Sequence, residues 1–322
     1  MTHFLRTPRT LILAAALGVA AFTASTVQAA APMAKVSAPG YFRMMLGEFE
    51  VTALSDGTTE LPVNKLLKTA PEKVDKALAR SFLKSPVETS FNAYLINTGS
   101  KLVLVDSGAG GLFGPNLGKL VANLKASGYQ PEQVDEIYIT HLHPDHVGGI
   151  AKEGAAAFAN AVVRADKRDA DFWLSQENME KAPADAKGFF QGAMASLKPY
   201  IDAKRFQPFE GDTQLVPGVK STSTYGHTAG HTSYVVESGG QKLLLVGDLI
   251  HVGAVQFDEP TVTIAFDSDE KAARAQRLKT FSAVAKDGTW VAASHLQFPG
   301  IGHVRSAGKS YQWVPVNYTQ VR

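Results

Sequence analysis

Within Thr140-His141-Leu142-His143-Pro144-Asp145-His146-Val147-Gly148-Gly149, four side chains able to hold a metal fall inside six residues. His141 and His143 are two apart, so on leaving a strand they project to the same side. Asp145 and His146 follow Pro144, where a turn can aim two further donors at a neighbouring position. A fold keeps such a cluster at some cost unless it is used, which separates it from a solvated polar turn. Further candidates stand where strands should begin or end. His227 and His231 lie in Gly226-His227-Thr228-Ala229-Gly230-His231, Asp248 follows the apolar run Leu243-Leu244-Leu245-Val246-Gly247, and His295 follows Ala292-Ala293-Ser294. A lone His or Asp at a strand end is usually structural; together with the first cluster these point to a metal site. The chain has no cysteine, so that site must rely on imidazole and carboxylate, and no disulfide supports the fold.

The elements that must deliver these groups read as alternating strands and helices. Phe49 to Leu54 alternates and meets a turn at Ser55-Asp56-Gly57; Ala93 to Asn97 and Leu102 to Asp106 form a hairpin across Thr98-Gly99-Ser100. Leu117 to Ala126 has helical spacing, Glu136 to Thr140 is a strand running into His141, and Ala161 to Arg164 is another. Helices are expected over Lys167 to Ser175 and Gly188 to Ile201, strands over Thr232 to Glu237 and Lys242 to Val246, a long amphipathic helix over Glu270 to Ala285, and a late strand over Trp290 to Ala293. Two sheets sandwiched by helices would fit this order.

Composition narrows the class. Apolar residues make up 45% and charged residues 19%, which argues against disorder and coiled coil. Arg6, Arg9 and the apolar run Leu11 to Phe22, followed by small residues through Ala29 to Ala31, read as a signal peptide over residues 1–29, and twelve apolar residues fall short of the ~20 that span a bilayer. Export to the periplasm or beyond is therefore expected, with no stable membrane anchor, and residues 30–322 form one domain with an extension over about 32–90. Removing the leader takes two positive charges and leaves 30 basic against 30 acidic residues, so nucleic-acid binding is not expected.

The ordered set HxHxDH, GHTxGH, GD and a late His, spanning positions 140 to 295, resembles the metallo-β-lactamase superfamily. The resemblance implies an α/β fold, a four-layer αβ/βα sandwich with metals at one edge. It also implies two ions: one held by His141, His143 and His227, the other by Asp145, His146 and His295, with Asp248 bridging both and His231 structural. Zinc suits such ligands, although manganese, iron or cobalt would also accept them. Two ions ~3.5–4 Å apart would share an activated water, so the nucleophile is expected to be a metal-bound hydroxide.

Within the superfamily, the absence of cysteine and the presence of His251 in place of a lysine argue against β-lactamases. The short segment after His295 argues against glyoxalase II types, and the charge balance against nucleases. Ser37-Ala38-Pro39-Gly40-Tyr41, Gly111-Leu112-Phe113-Gly114-Pro115, Asp171-Phe172-Trp173-Leu174-Ser175 and Phe298-Pro299-Gly300-Ile301-Gly302-His303 are similar to the methyl parathion hydrolase group, which implies a homodimer and a pocket of Phe113, Trp173 and Phe189. His251, Ile264 and Phe266 depart from that group's organophosphate pattern. Bulky Ile264 and Phe266 narrow the room a tetrahedral phosphate needs. His251 can donate a hydrogen bond to an oxyanion or protonate a leaving oxygen, acting with Asp145 and Asp248. The expected function is opening of lactones, dihydrocoumarin-type aryl lactones first, or cleavage of aryl esters. Phosphotriester hydrolysis is the alternative activity, and metal or ligand binding without turnover the alternative class.

Overall fold

The computed structural model describes residues 1–2 and 31–320. The signal-peptide expectation falls almost wholly on residues outside that description. The described residues from Ala38 onward form the larger of two units. In the first half of the larger unit the chain runs β1 (Tyr41–Leu46), β2 (Phe49–Leu61), α1 (Val63–Leu66), α2 (Pro71–Arg80), β3 (Val87–Asn97), β4 (Leu102–Val105), α3 (Leu120–Ala126), β5 (Glu136–Tyr138) and α4 (Pro144–Val147). The small strands β6 (Ala151–Lys152) and β7 (Ala155–Ala156), β8 (Val162–Arg164), α5 (Lys167–Trp173), α6 (Gln176–Lys181) and α7 (Lys187–Asp202) follow. The second half has β9 (Gln214–Val216), β10 (Val219–Ser223), β11 (Thr232–Ser238), β12 (Gln241–Leu245), α8 (Gly253–Gln256), α9 (Glu270–Asp287), β13 (Trp290–Ala292), β14 (Ile301–Ala307) and β15 (Ser310–Pro315).

Strand β4, Leu-Val-Leu-Val, shows why two sheets form. Successive side chains point to opposite faces, so an unbroken apolar run must be covered on both. Val103 and Val105 join Leu46, Tyr94 and Tyr138 in a core shared with Tyr234, Val236, Leu243, Leu245 and Ile301 of the second sheet. Leu102 and Leu104 face the other way, onto Leu120, Leu124, Phe190 and Leu197 of the helical layer. Phe281 and Val284 of α9 cover the outer side of the second sheet. The result is the expected αβ/βα sandwich, with sheet orders β1-β2-β3-β4-β5-β8 and β15-β14-β13-β12-β11-β10-β9.

Three details differ from the sequence expectation. Ser55-Asp56-Gly57 is no turn: β2 continues through it with a shift of register against β3. Such a bulge re-aims a side chain. Here it buries the Asp56 carboxylate, which accepts the backbone N–H groups of Ala109, Gly118 and Leu120 and so ties down the loop after β4. Residues 41–61 and 87–97 are strands of the first sheet itself, so the segment before the metal motif is part of the sandwich and not an appended layer. α9 forms with Asp269 capping Ala272 N and Gly288 closing it at φ +66, but its buried face carries Arg277 and Thr280 beside Phe281 and Val284, which interrupts the expected apolar stripe.

Candidate metal centre

Parallel pairing explains why distant residues meet. β4 runs parallel to β5, and β12 parallel to β13, with Val105 opposite Tyr138 and Leu245 opposite Ala292. The carboxyl ends of neighbouring parallel strands open at the same edge, where side chains beyond each strand converge. Asp106 lies just past β4, His141 past β5, Asp248 past β12 and His295 past β13. His143, Asp145 and His146 follow on and around the single turn of α4, begun by Pro144, and His227 lies in the turn between β10 and β11.

The structure brings all seven candidate ligands together as two groups. His141, His143, His227 and Asp248 form one, and Asp145, His146, His295 and Asp248 the other; in each, donor atoms lie within 4.8 Å of one another. Asp248 faces both: Oδ2 lies 3.7 Å from His141 Nε2 and 3.4 Å from His227 Nε2, whereas Oδ1 lies 3.2 Å from His146 Nε2 and from His295 Nε2. His143 Nδ1 stands 3.2 Å from His227 Nε2, and Asp145 Oδ2 3.4 Å from both His146 Nε2 and His295 Nε2.

Three of the rings, those of His146, His227 and His295, are aimed by a bond to the far nitrogen. Asp106 Oδ2 pairs with His146 Nδ1 at 2.9 Å, Asp267 Oδ1 with His227 Nδ1 at 2.8 Å, and the Ser90 carbonyl accepts from His295 Nδ1 at 3.1 Å. Such partners fix the tautomer that leaves Nε2 free for a cation. Asp106 also accepts the amide and hydroxyl of Thr140, so one carboxylate sets both the strand exit and the fourth side chain of the motif. Asp169, buried on α5, accepts from Leu142 N, Thr228 Oγ1 and Gly230 N and joins the two histidine loops. His231 is held away from the ligand role: its Nε2 accepts the Asp248 backbone N–H at 3.1 Å while Nδ1 meets Thr224 Oγ1 at 2.9 Å. Burial pushes its pKa down to about 3, so the ring is neutral and positions the bridging carboxylate.

Electrostatics and unsatisfied atoms test whether cations fit. Burial would lower His146, His227 and His295, but the surrounding carboxylates outweigh it, holding His146 well above its ordinary value, His227 at about 9 and His295 at about 10. Burial and the neighbouring imidazoles hold His141 and His143 well below theirs. Asp145 and Asp248 stay below the carboxylate range despite burial, because imidazoles face them. The centre thus requires positive charge between its two carboxylates. His141 Nε2, His146 Nε2 and Asp248 Oδ1 are also buried without a hydrogen-bond partner. Unpaired buried acceptors and nitrogens are costly, and divalent cations would satisfy all three, so the residues fit.

His251 lies against the shared edge of both groups. Its Nε2 is 3.1 Å from Asp248 Oδ2, its ring 5.2 Å from those of His227 and His295 and 6.5 Å from Phe266, and its Nδ1 is buried without a partner. Trp173 and Phe189 stand edge-on to His143, each ring 5.1 Å away, and form an aromatic wall. Phe113, by contrast, is 43% exposed on the loop after β4, outside these ring contacts. Ile264 is buried and packs with Val63, Leu67 and Val252, and residues 264 and 67 form a backbone bridge. A crevice of about 20 Å³ beside His251 and His295, lined also by Val87, Ser90 and Ala254, has room for about one water. The larger groove nearby, about 390 Å³, is lined by none of the seven candidate ligands.

Sequence reasoning missed Asp106, Asp169, Asp267 and Gln256. Asp106 carries the same signal as Asp248, a carboxylate directly after an apolar strand, and was legible on that rule.

Residues 88–295 match the model of the metallo-beta-lactamase superfamily. A solved structure described as hydrolase AbOPH in the beta lactamase superfamily shares 41% identity with a TM-score of 0.85, covering 88% of this chain and all of that one. AidC, a dizinc quorum-quenching lactonase solved with the product N-hexanoyl-L-homoserine, shares 25% identity at TM-score 0.80, over 87% of this chain and 99% of its own. An N-acyl homoserine lactonase of Bacillus cereus is 27% identical over 161 residues, half of this chain and 56% of the relative. The chain therefore spans little more than half the length of the curated relatives it matches.

Proposed function

The chain belongs to the metallo-beta-lactamase superfamily, and from that premise we propose that it is an exported, two-metal hydrolase that opens lactones. The cations are zinc in this reading. His141, His143 and His227 would hold one, Asp145, His146 and His295 the other, with Asp248 between them. When bound, they supply Lewis acidity toward the substrate carbonyl and bring the pKa of water towards neutrality.

The observation that carries the reading is His251. With Nε2–H directed at Asp248 Oδ2, the neutral ring leaves the Nδ1 lone pair as a buried atom with no protein partner. Burial lowers its pKa further, although Asp248 opposes this. Nδ1 can take one proton released by the attacking water and return it to the leaving oxygen when the acyl C–O bond breaks, so hydrolysis ends as an alcohol and a carboxylic acid with the ring restored, and the acid then loses its remaining proton to solvent. This refines the expectation from sequence: the ring donates only after it has accepted a proton. The aromatic edges of Trp173 and Phe189 at His143 suit a flat aryl lactone or an apolar acyl group. Export is supported by Arg6, Arg9 and the apolar run that follows.

The test is kcat/KM of zinc-loaded protein on dihydrocoumarin, N-hexanoyl-homoserine lactone and methyl parathion. A preference for either lactone by tenfold or more is expected. A preference for methyl parathion would make the enzyme a phosphotriesterase, and metal content without turnover of any of the three would make it a binding protein. Export is checked by the mature N-terminus, expected within Ala29 to Ala31.

A further inference from the structure

α9 carries an arginine where a helix anchor needs only an apolar side chain. Arg277 is wholly buried. Its Nε donates to the Leu249 carbonyl, and Nη1 donates to those of Pro260 at 3.1 Å and Val262 at 2.6 Å. Nη2 has no hydrogen-bond partner and lies 3.9 Å from Asp267 Oδ2. Burial pushes the guanidinium down to about 10, so it stays charged at neutral pH. A planar fork spreads its donors over separate nitrogens and so spans carbonyls of two segments, whereas a lysine ammonium gathers its three donors on one atom.

Both segments end at the metal centre. Leu249 directly follows Asp248. The segment from Pro260 leads to Asp267, whose Oδ1 pairs with His227 Nδ1 and whose Oδ2 accepts the Ile264 amide at 3.0 Å. Gln256, also wholly buried, closes the frame: Nε2 donates to Val262 O at 3.0 Å, and Oε1 accepts the amides of His251 and Val252 at 2.8 and 3.0 Å. One carbonyl, that of Val262, is therefore shared by Arg277 and Gln256, and behind it stand the backbone of His251, the partner of His227 and the neighbour of Asp248.

We infer that Arg277 is a positioning residue that, through Leu249 and the Pro260–Asp267 segment, sets His227 against Asp248 and thereby the affinity of the first cation group. The inference rests on the metal-hydrolase reading, but its readout is cation binding and not turnover of a chosen substrate. Arg277→Lys and Gln256→Met are compared with wild type by chelator competition for zinc, by the absorption spectrum of the cobalt-substituted protein, and by thermal unfolding. Phe158→Leu, in the core on the far side of the first sheet, serves as a variant that weakens the fold alone. Arg277→Lys is expected to weaken cation binding about 10–100-fold and to alter the cobalt spectrum, with Gln256→Met changing both in the same direction and Phe158→Leu changing neither. Variants that unfold earlier but bind cations as wild type does, with an unaltered spectrum, would reduce Arg277 to a helix anchor and overturn the inference. A wild type that binds two cations yet opens no lactone would overturn the proposed function while the variants' affinities still decide this point.

Discussion

His251 and the ligand histidines answer different demands on the same ring. A ligand needs its far nitrogen occupied, as Asp106, Asp267 and Ser90 provide; a proton carrier needs one nitrogen left over, as at His251 Nδ1. His251→Leu removes that atom, so lactone kcat is expected to fall by about 100-fold or more, the scale of general acid–base catalysis, while phosphotriester turnover with a good leaving group is spared. Parallel kinetics on dihydrocoumarin and methyl parathion check this, and an equal loss on both substrates would remove His251 from proton transfer. The ligand imidazoles predict a second effect. Burial opposes protonation of His227 and His295, yet Asp248 and its neighbours raise them to about 9 and 10, so below those values protons occupy the sites that cations need. Cation affinity should therefore climb as pH rises from 6 towards 9, with protons released on binding. Chelator competition across that range would show it; a flat profile would not fit the geometry.

Between the residues and the sandwich stand the loops, and their spacing depends on buried carboxylates. Asp169 ties the His141–His143 loop to the His227–His231 loop. Burial raises its pKa to about 6, above an unfolded value near 3.8, although three hydrogen bonds oppose that. A raised folded pKa means that the folded state binds the proton more tightly, so this stabilising contribution is full below about 3.8 and is lost as pH rises through about 6. Asp169→Asn should abolish that part of the pH dependence and, by setting an amide against the Gly230 N–H, destabilise the fold by about 1–3 kcal/mol. Denaturant unfolding at pH 4, 5, 6 and 7 measures both. The strands and the HxHxDH loop were legible in sequence because period-two alternation and close spacing are local. The bulge at Asp56 and the partners Asp267 and Arg277 were not, since each meets at least one group distant in the chain that composition does not mark. For Ile264 the bulk was readable in the sequence, but its backbone bridge to Leu67 was not.

At the scale of the molecule, the two halves contribute unequally to one centre. The first supplies His141, His143, Asp145 and His146, the second His227, Asp248 and His295, so a bound cation links the two sheets. Anything that binds the folded chain alone stabilises it, by about 4 kcal/mol when free ligand exceeds its Kd a thousandfold. Chelation should therefore lower the unfolding temperature, and readdition of zinc restore it; a calorimetric scan in which neither happens would mean that the halves hold together without the metals. The order of donors along the chain also has a consequence for biosynthesis. The group of His141, His143, His227 and Asp248 is complete once β12 and the turn after it have been made, whereas the group containing His295 must wait for α9 and β13. A nascent polypeptide therefore holds every donor of one set before the last donor of the other exists, yet His227 gains its partner Asp267, and that segment its anchor Arg277, only from residues made later, so a product stopped directly after Asp248 would carry four donors without the groups that aim them.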